Sequence, residues 1–250
     1  MSRLLKTDGV VLKCADGGKN SKLLLLLTRE QGLLPVLARG AASLKSPLCA
    51  PSAQFCYSSF VLFQSGERWL VNEASVKELF FDLRLDLERL SAAQVIAELA
   101  LGLCAETVPD EPLLRLVLNC FYALSSLKLP PALCKAVFEC RAACIEGYAP
   151  DLDACAVCGR ESASGKLDTV GGRLFCPDCP APATAIPLSE QALALLRRLG
   201  DLPDEKLFSF SASGAALREL YFAAERYLLD QTDLHPRSLK FFRSLQGETP

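Results

Sequence analysis

The sequence predicts an α+β protein in two regions: a small N-terminal β-barrel, then an all-helical domain interrupted by a cysteine-rich insert. Three observations carry this. Short strand-like runs fill the first ~80 residues, helical periodicity begins near Phe81, and two Cys-x-x-Cys pairs stand late in the helical part. At 250 residues, 50% hydrophobic and 22% charged, the chain can bury a proper core.

The first run is "GVVLK". "SKLLLLLT" follows the polar turn "ADGGKN", and "REQG" leads into "LLPVLARG". After the Ser/Pro-broken loop "AASLKSPLCAPSA" come "QFCYSSFVLF" and, beyond the turn "QSGE", "RWLVNEASV". Each run is short, bounded by turn residues, and rich in leucine, β-branched or aromatic side chains. Five such strands with little helix signal fit a five-stranded OB-type barrel. Pro35 marks an edge or bulge in the third run.

Beyond Phe81 the apolar period changes. Ile96, Leu99, Ala100 and Leu103 recur at helical spacing, as do Leu113, Val117, Phe121 and Leu124 after Pro112. A third helix starts at Pro130-Pro131, carries Leu133, Val137, Cys140 and Cys144, and stops at Gly147. Past the cysteines, Ser189 caps a helix with Leu193, Leu196 and Leu199. A longer helix carries Leu217, Leu220, Tyr221, Ala224 and Leu228, and "PRSLKFFRSL" closes the chain, with Asp233 as a candidate cap for that last helix. The expected plan is barrel 1–79, helices 80–149, insert 150–182 and helices 183–250.

Cys155, Cys158, Cys176 and Cys179 form C-x2-C-x17-C-x2-C. The two-residue spacer lets both sulfurs of a pair turn inward. Gly159 lets the chain fold back, and Gly165 with Gly171-Gly172 suits a hairpin between the knuckles. The pattern predicts one structural zinc. Four thiolates leave no open position for water, and the H-x-E element of zinc deaminases is absent because the single histidine, His235, precedes Pro236-Arg237. The other eight cysteines read as small buried hydrophobes. No phosphate-cradling glycine loop or nucleophile elbow is present, so nucleotide hydrolysis and Ser-His-Asp chemistry lack support. The start of the chain does not read as a signal peptide, and no apolar run approaches the ~18 residues a membrane helix needs. A reducing, cytoplasmic setting is expected.

Charge is unevenly placed. Residues 1–66 hold eight Lys/Arg against three Asp/Glu, whereas the whole chain has net charge −2. Lys13, Lys19, Lys22, Arg29, Arg39 and Lys45 lie on the barrel strands or their loops, with Phe55, Tyr57, Phe60 and Phe63 as possible stacking rings. These cations are either a groove for a nucleic-acid backbone or a solvated face, and charge alone does not choose. Arg237, Lys240 and Arg243 could extend a basic surface at the end of the chain.

"TDGVVLK", "NSKLLLLLTREQGLLPVLARGAASLKSPL" and "AQF" together resemble the N-terminal domain of the RecO family of bacterial recombination mediators, and "FECRAACIEGYAPDLDACAVCG" with "FCPDC" resembles that family's junction between helix and zinc insert. The resemblance runs from about Thr7 to Phe242. It implies a non-enzymatic, nucleoid-associated repair protein that binds single- and double-stranded DNA and anneals complementary strands. It also implies partners: RecR, the acidic C-terminal tail of single-strand-binding protein, and indirectly RecA. By position, Arg39 and Lys45 become DNA contacts, with Lys13, Lys22 and Arg29 on the same barrel. Lys135 and Arg141 become the candidate site for the acidic tail. The alternative is a zinc-stabilised adaptor that recruits partners without touching DNA.

Overall fold

The computed structural model describes residues 4–247. Five strands, β1 (Leu4–Asp16), β2 (Lys22–Thr28), β3 (Gly32–Ala38), β4 (Tyr57–Ser65) and β5 (Arg68–Glu78), close into a barrel in the order β1-β2-β3-β5-β4. This is the expected OB-type barrel, with β1 longer than the run "GVVLK" suggested. All pairings are antiparallel except β3–β5, which touches only at Val36–Trp69 and Leu37–Leu70. Pro35 therefore sits just before β3 gains its second neighbour, where a missing N–H costs nothing.

The leucine run of β2 hides a strict alternation. Leu24 and Leu26 enter the barrel core with Val11, Val36, Phe60 and Leu62. Leu23, Leu25 and Leu27 point to the outside. At one end this outside row (Val10, Leu12 and Leu27) is buried beneath the helices in the larger core. At the other end it is not covered.

Six helices follow: α1 (Leu87–Leu103), α2 (Glu111–Ser125), α3 (Pro131–Ile145), α4 (Glu190–Asp201), α5 (Gly214–Thr232) and α6 (Leu239–Leu245). Asp86, Asp110, Ser189 and Ser213 cap the N-termini of α1, α2, α4 and α5 by accepting from backbone N–H groups. Gly147, at φ 83°, turns the chain after α3. Asp233 differs from expectation: at φ 53° it ends α5, and its side chain caps nothing in α6. Between α3 and α4 lies a three-stranded sheet, β6 (Gly165–Asp168), β7 (Arg173–Phe175) and β8 (Ile186–Leu188), in the order β7-β6-β8. The β6–β7 hairpin is the expected connection between knuckles. β8 was not foreseen, because "IPL" is too short to show a period.

Barrel and helices share one core through three rings. Phe55, from the loop before β4, and Phe80, just after β5, each meet Phe121 of α2 edge-on, at 5.3 and 5.7 Å. Both outer rings sit on left-handed backbone, φ 68° and 45°, which is costly for a bulky residue. A second tie lies at β3. Thr107, in the α1–α2 loop, donates to the Leu33 carbonyl, and a Cβ on Gly32 (φ 59°) would fall 1.9 Å from the Val108 carbonyl oxygen. Replacing Gly32 with Ala should therefore destabilise by at least ~2 kcal/mol, because it adds both clash and backbone strain. Phe121→Ala should cost ~3–5 kcal/mol, since it empties the shared core and strands two strained phenylalanines. Chemical denaturation measures both.

Candidate nucleic-acid interface and four-cysteine cluster

The two knuckles bring Cys155, Cys158, Cys176 and Cys179 together, with all four sulfurs within 4.8 Å of one another. Each pair closes through its own backbone: Gly159 (φ 69°) donates to the Cys155 carbonyl at 2.9 Å, and Cys179 to the Cys176 carbonyl at 3.3 Å. Backbone N–H groups, that of Cys176 foremost, pull the Cys155 thiol down to about 6. The Arg160 guanidinium, 3.5 Å from the Cys158 sulfur, lowers that thiol as well, and it also reaches Asp178 at 3.3 Å. Cys179 is pushed the other way, to about 12, by its sulfur neighbours, first Cys176. Thiols packed this closely cannot all ionise alone. A divalent cation among them removes the repulsion, so the quartet fits a single closed metal site.

The remaining cysteines behave differently. Burial raises the thiols of Cys104 and Cys134 to about 12, and those of Cys120 and Cys140 well above the usual range. These are inert packing groups.

The insert is held from two helices. Arg197 of α4 donates to the Leu152 and Ser162 carbonyls at 3.0 and 3.1 Å. From α5, Asp230 accepts from Thr169 at 2.6 Å, and Gln231 donates to the Thr169 and Val170 carbonyls at 2.7 and 2.9 Å. Neither Arg197 nor Arg160 was singled out in the sequence, although Arg160 follows directly on "CG".

The barrel cations fall into two groups. Lys19 and Arg39 line one hollow of about 560 Å³ with Gly17, Gly18, Ser21, Leu37 and Gly40. Lys22 lies beside it and donates to the Cys49 carbonyl at 3.3 Å, and Lys45 is exposed on the same 39–52 loop. The loop root is tied to the β1–β2 turn, with the Ala42 amide 3.3 Å from the Asn20 carbonyl. Lys13 and Arg29 instead face the helices. Lys13 lines a hollow with Gln94, Glu98, His235 and Arg237, and Arg29 pairs with Glu111 of α2 at 3.5 Å. Of the candidate rings, Phe55 and Phe60 are buried, and Tyr57 and Phe63 are half-buried. Of the possible stacking rings in "QFCYSSFVLF", the structure thus removes Phe55 and Phe60. Phe55 fills the shared core and Phe60 the barrel core.

Lys135 needs the plainest correction. It is 3% exposed, and its ammonium lies 2.7 Å from Glu139 and 2.6 Å from Glu225, beneath the Phe242 ring. An incoming acidic peptide cannot reach it. Arg141 donates to the Gly200 carbonyl and borders a hollow of about 270 Å³ with Arg115 and Asp204. Arg243 of α6 also pairs with Glu225, so it does not extend a basic surface.

Two family models match this chain: "Recombination protein O N terminal" over residues 1–80 and "Recombination protein O C terminal" over 84–240. The chain belongs to the RecO family. It is 32% identical to DNA repair protein RecO of Acetivibrio thermocellus over 96% of this chain and 97% of that one. It is 31% identical to the Roseiflexus protein of the same name over 96% and 85%, and 33% identical to that of Moorella thermoacetica over 72% and 67%. RecO membership makes this a DNA repair protein. No helix among its described residues is long and apolar enough to cross a membrane.

The buried network has a titration signature. Burial pushes Glu139 up to about 7 despite Lys135, while Lys135 and Arg243 outweigh burial to hold Glu225 low. Between pH ~4.5 and ~7 the folded protein keeps a proton on Glu139 that the unfolded chain releases, so this group's contribution falls as pH rises. Relative to Glu139→Gln, the wild type should lose about 3 kcal/mol across that window, measured by denaturant unfolding at a series of pH values.

Proposed function

We propose that this chain is a non-enzymatic recombination mediator. It binds single- and double-stranded DNA through the barrel (residues 1–79) and anneals complementary strands. With a RecR-like protein, it helps load RecA at gaps coated by single-strand-binding protein. Its place is the bacterial cytoplasm, at the nucleoid.

One observation carries the DNA reading. The chain holds no Asp or Glu from residue 31 to 66, and Lys19, Lys22 and Arg39 gather at one end of the barrel with Lys45 exposed on the adjoining loop, while Asp16, opposite Lys22 in the strand register, accepts from the Gly18 amide instead. Among the described residues none of the four has an ion-pair partner. Lys13 extends the path toward the helices, and Arg29, at the far end of β2 and paired with Glu111, is a more distant contact of the same barrel. Arg141 alone is left to meet the acidic tail of single-strand-binding protein.

The four cysteines hold one structural Zn2+. Zinc fills its tetrahedral shell with them, supplies no open position, and clamps the β6–β7 hairpin between α3 and α4. Cys176→Ser should lose the metal and lower stability while DNA binding fails only as the fold does. X-ray absorption on the wild type should report four sulfurs. An oxygen in the shell would replace this reading with a catalytic metal.

Four phosphate contacts on a single strand imply a log–log salt slope near −3, or a roughly 50-fold loss of affinity between ~50 and ~200 mM salt. Reversing Arg39 and Lys45 to Glu should weaken binding to every sequence alike and flatten that slope by about 1.4. Affinity that is flat with salt would leave the adaptor reading in its place.

A further inference from the structure

The uncovered end of the barrel is apolar as well as basic. Leu23 and Leu37 stand opposite one another on β2 and β3, and Ala15 opposite Leu23 on β1. Their chain neighbours Leu24, Val36 and Ala38 fill the barrel core, so alternation sends Leu23 and Leu37 outward. Leu23 is 43% exposed. Leu44, on the loop between Arg39 and Lys45, is 92% exposed, more than any other large hydrophobic side chain in the described residues. Ala15, Leu23 and Leu37 continue the outside row that the helices bury at the other end through Val10, Leu12 and Leu27, and Leu44 stands on the loop that follows β3.

An apolar strip left open beside uncompensated cations needs an occupant that is anionic on one side and apolar on the other. A single nucleic-acid strand is that: phosphates along one edge, base faces along the other. The usual base platform is aromatic, but the barrel's partly exposed rings are half-buried, with Tyr57 packed against the helical core and Trp69 against the barrel core. The exposed rings among the described residues, Phe81, Tyr122, Tyr148, Phe222 and Phe241, all lie outside the barrel.

Building on the DNA-binding reading, we propose that Leu23, Leu37 and Leu44 form an aliphatic platform for unpaired bases, with Lys19, Arg39 and Lys45 holding the flanking phosphates. Aliphatic contact takes any base face, because burial of apolar area carries no directional code. It also holds bases more loosely than ring stacking does and leaves their pairing edges open. A strand held in this way is ordered along its backbone and still ready to meet its complement. The two leucines chosen for substitution carry exposed side chains, so changing them leaves both cores intact.

The test compares oligo-dT with an abasic deoxyribose-phosphate oligomer of equal length, across a salt series. The wild type should prefer oligo-dT by roughly three- to fivefold, less than an aromatic platform commonly gives per base. Leu23→Ser/Leu44→Ser should erase that preference and keep the salt slope and the melting temperature. Arg39→Glu should weaken both polymers together. Equal wild-type binding of the two polymers overturns the platform and leaves the phosphate site standing, as does a preference that survives in the double-serine variant. If neither polymer binds with a salt-dependent affinity, the DNA-binding reading falls with it.

Discussion

Phe121 is the contact on which the rest of the molecule depends. Its ring receives Phe55 from one side of the barrel and Phe80 from the chain leaving it, both edge-on. Each donor residue is held in left-handed backbone, worth about 1–3 kcal/mol of strain. Such strain persists only where packing repays it, and burying a phenylalanine returns at least as much. Barrel and helical region are therefore one packed body rather than two joined by a linker. The loop after α1 completes the seam by lying along the open edge of β3, with Gly32 making room for it.

That seam decides which part of the barrel is free. β1 adds Val10 and Leu12 to the outer row of β2 (Leu23, Leu25 and Leu27), which is apolar along its whole length. Its first half pays for the junction with the helices; its second half, with the 39–52 loop, stays open. Lys13, opposite Leu25, lies where the covered half meets the open one, and Arg29 lies beyond Leu27 at the far end of β2, so each borders the helices. Arg39 and Lys45 lie beyond it.

Much of this was legible in the residues. Turn-bounded runs located all five barrel strands, and Pro112, Pro131 and Ser189 located the starts of α2, α3 and α4. The cysteine spacing located the metal cluster. Failures came where side-chain direction mattered. Five consecutive leucines in β2 carry no polar marker of which face is inside, and alternation appears only once Val36 and Phe60 stand opposite. Phe55 lies next to the strand run and looks like part of it, yet its left-handed backbone throws the ring into the helical core. Lys135 reads as a cation on a helix. Its burial depends on Glu225, ninety residues away in sequence, which no local pattern reveals. Asp233 was read as opening a helix because Asp favours both N-caps and left-handed backbone, and here the second use prevailed.

The sorting of charge explains how a chain of net charge −2 can present cations without ion-pair partners at one end of its barrel, as the proposed polyanion site requires. In the helical region acids and bases largely consume one another: Arg115 with Asp204, Lys128 with Asp82, Lys135 with Glu139 and Glu225, Arg226 with Asp230, Arg243 with Glu225. At the open end of the barrel Lys19, Lys22, Arg39 and Lys45 form no ion pair among the described residues: residues 31–66 contain no acid, and Asp16 opposite Lys22 is engaged by the Gly18 amide. At physiological ionic strength charges interact over roughly 8 Å, so a phosphate at that end responds to Lys19, Arg39 and Lys45 and hardly to the acidic helices. In the proposed function, net charge then governs the approach of DNA from a distance, and the local cations govern its hold. On that reading the acidic remainder opposes any wrapping of a bound strand around the helices and favours the barrel.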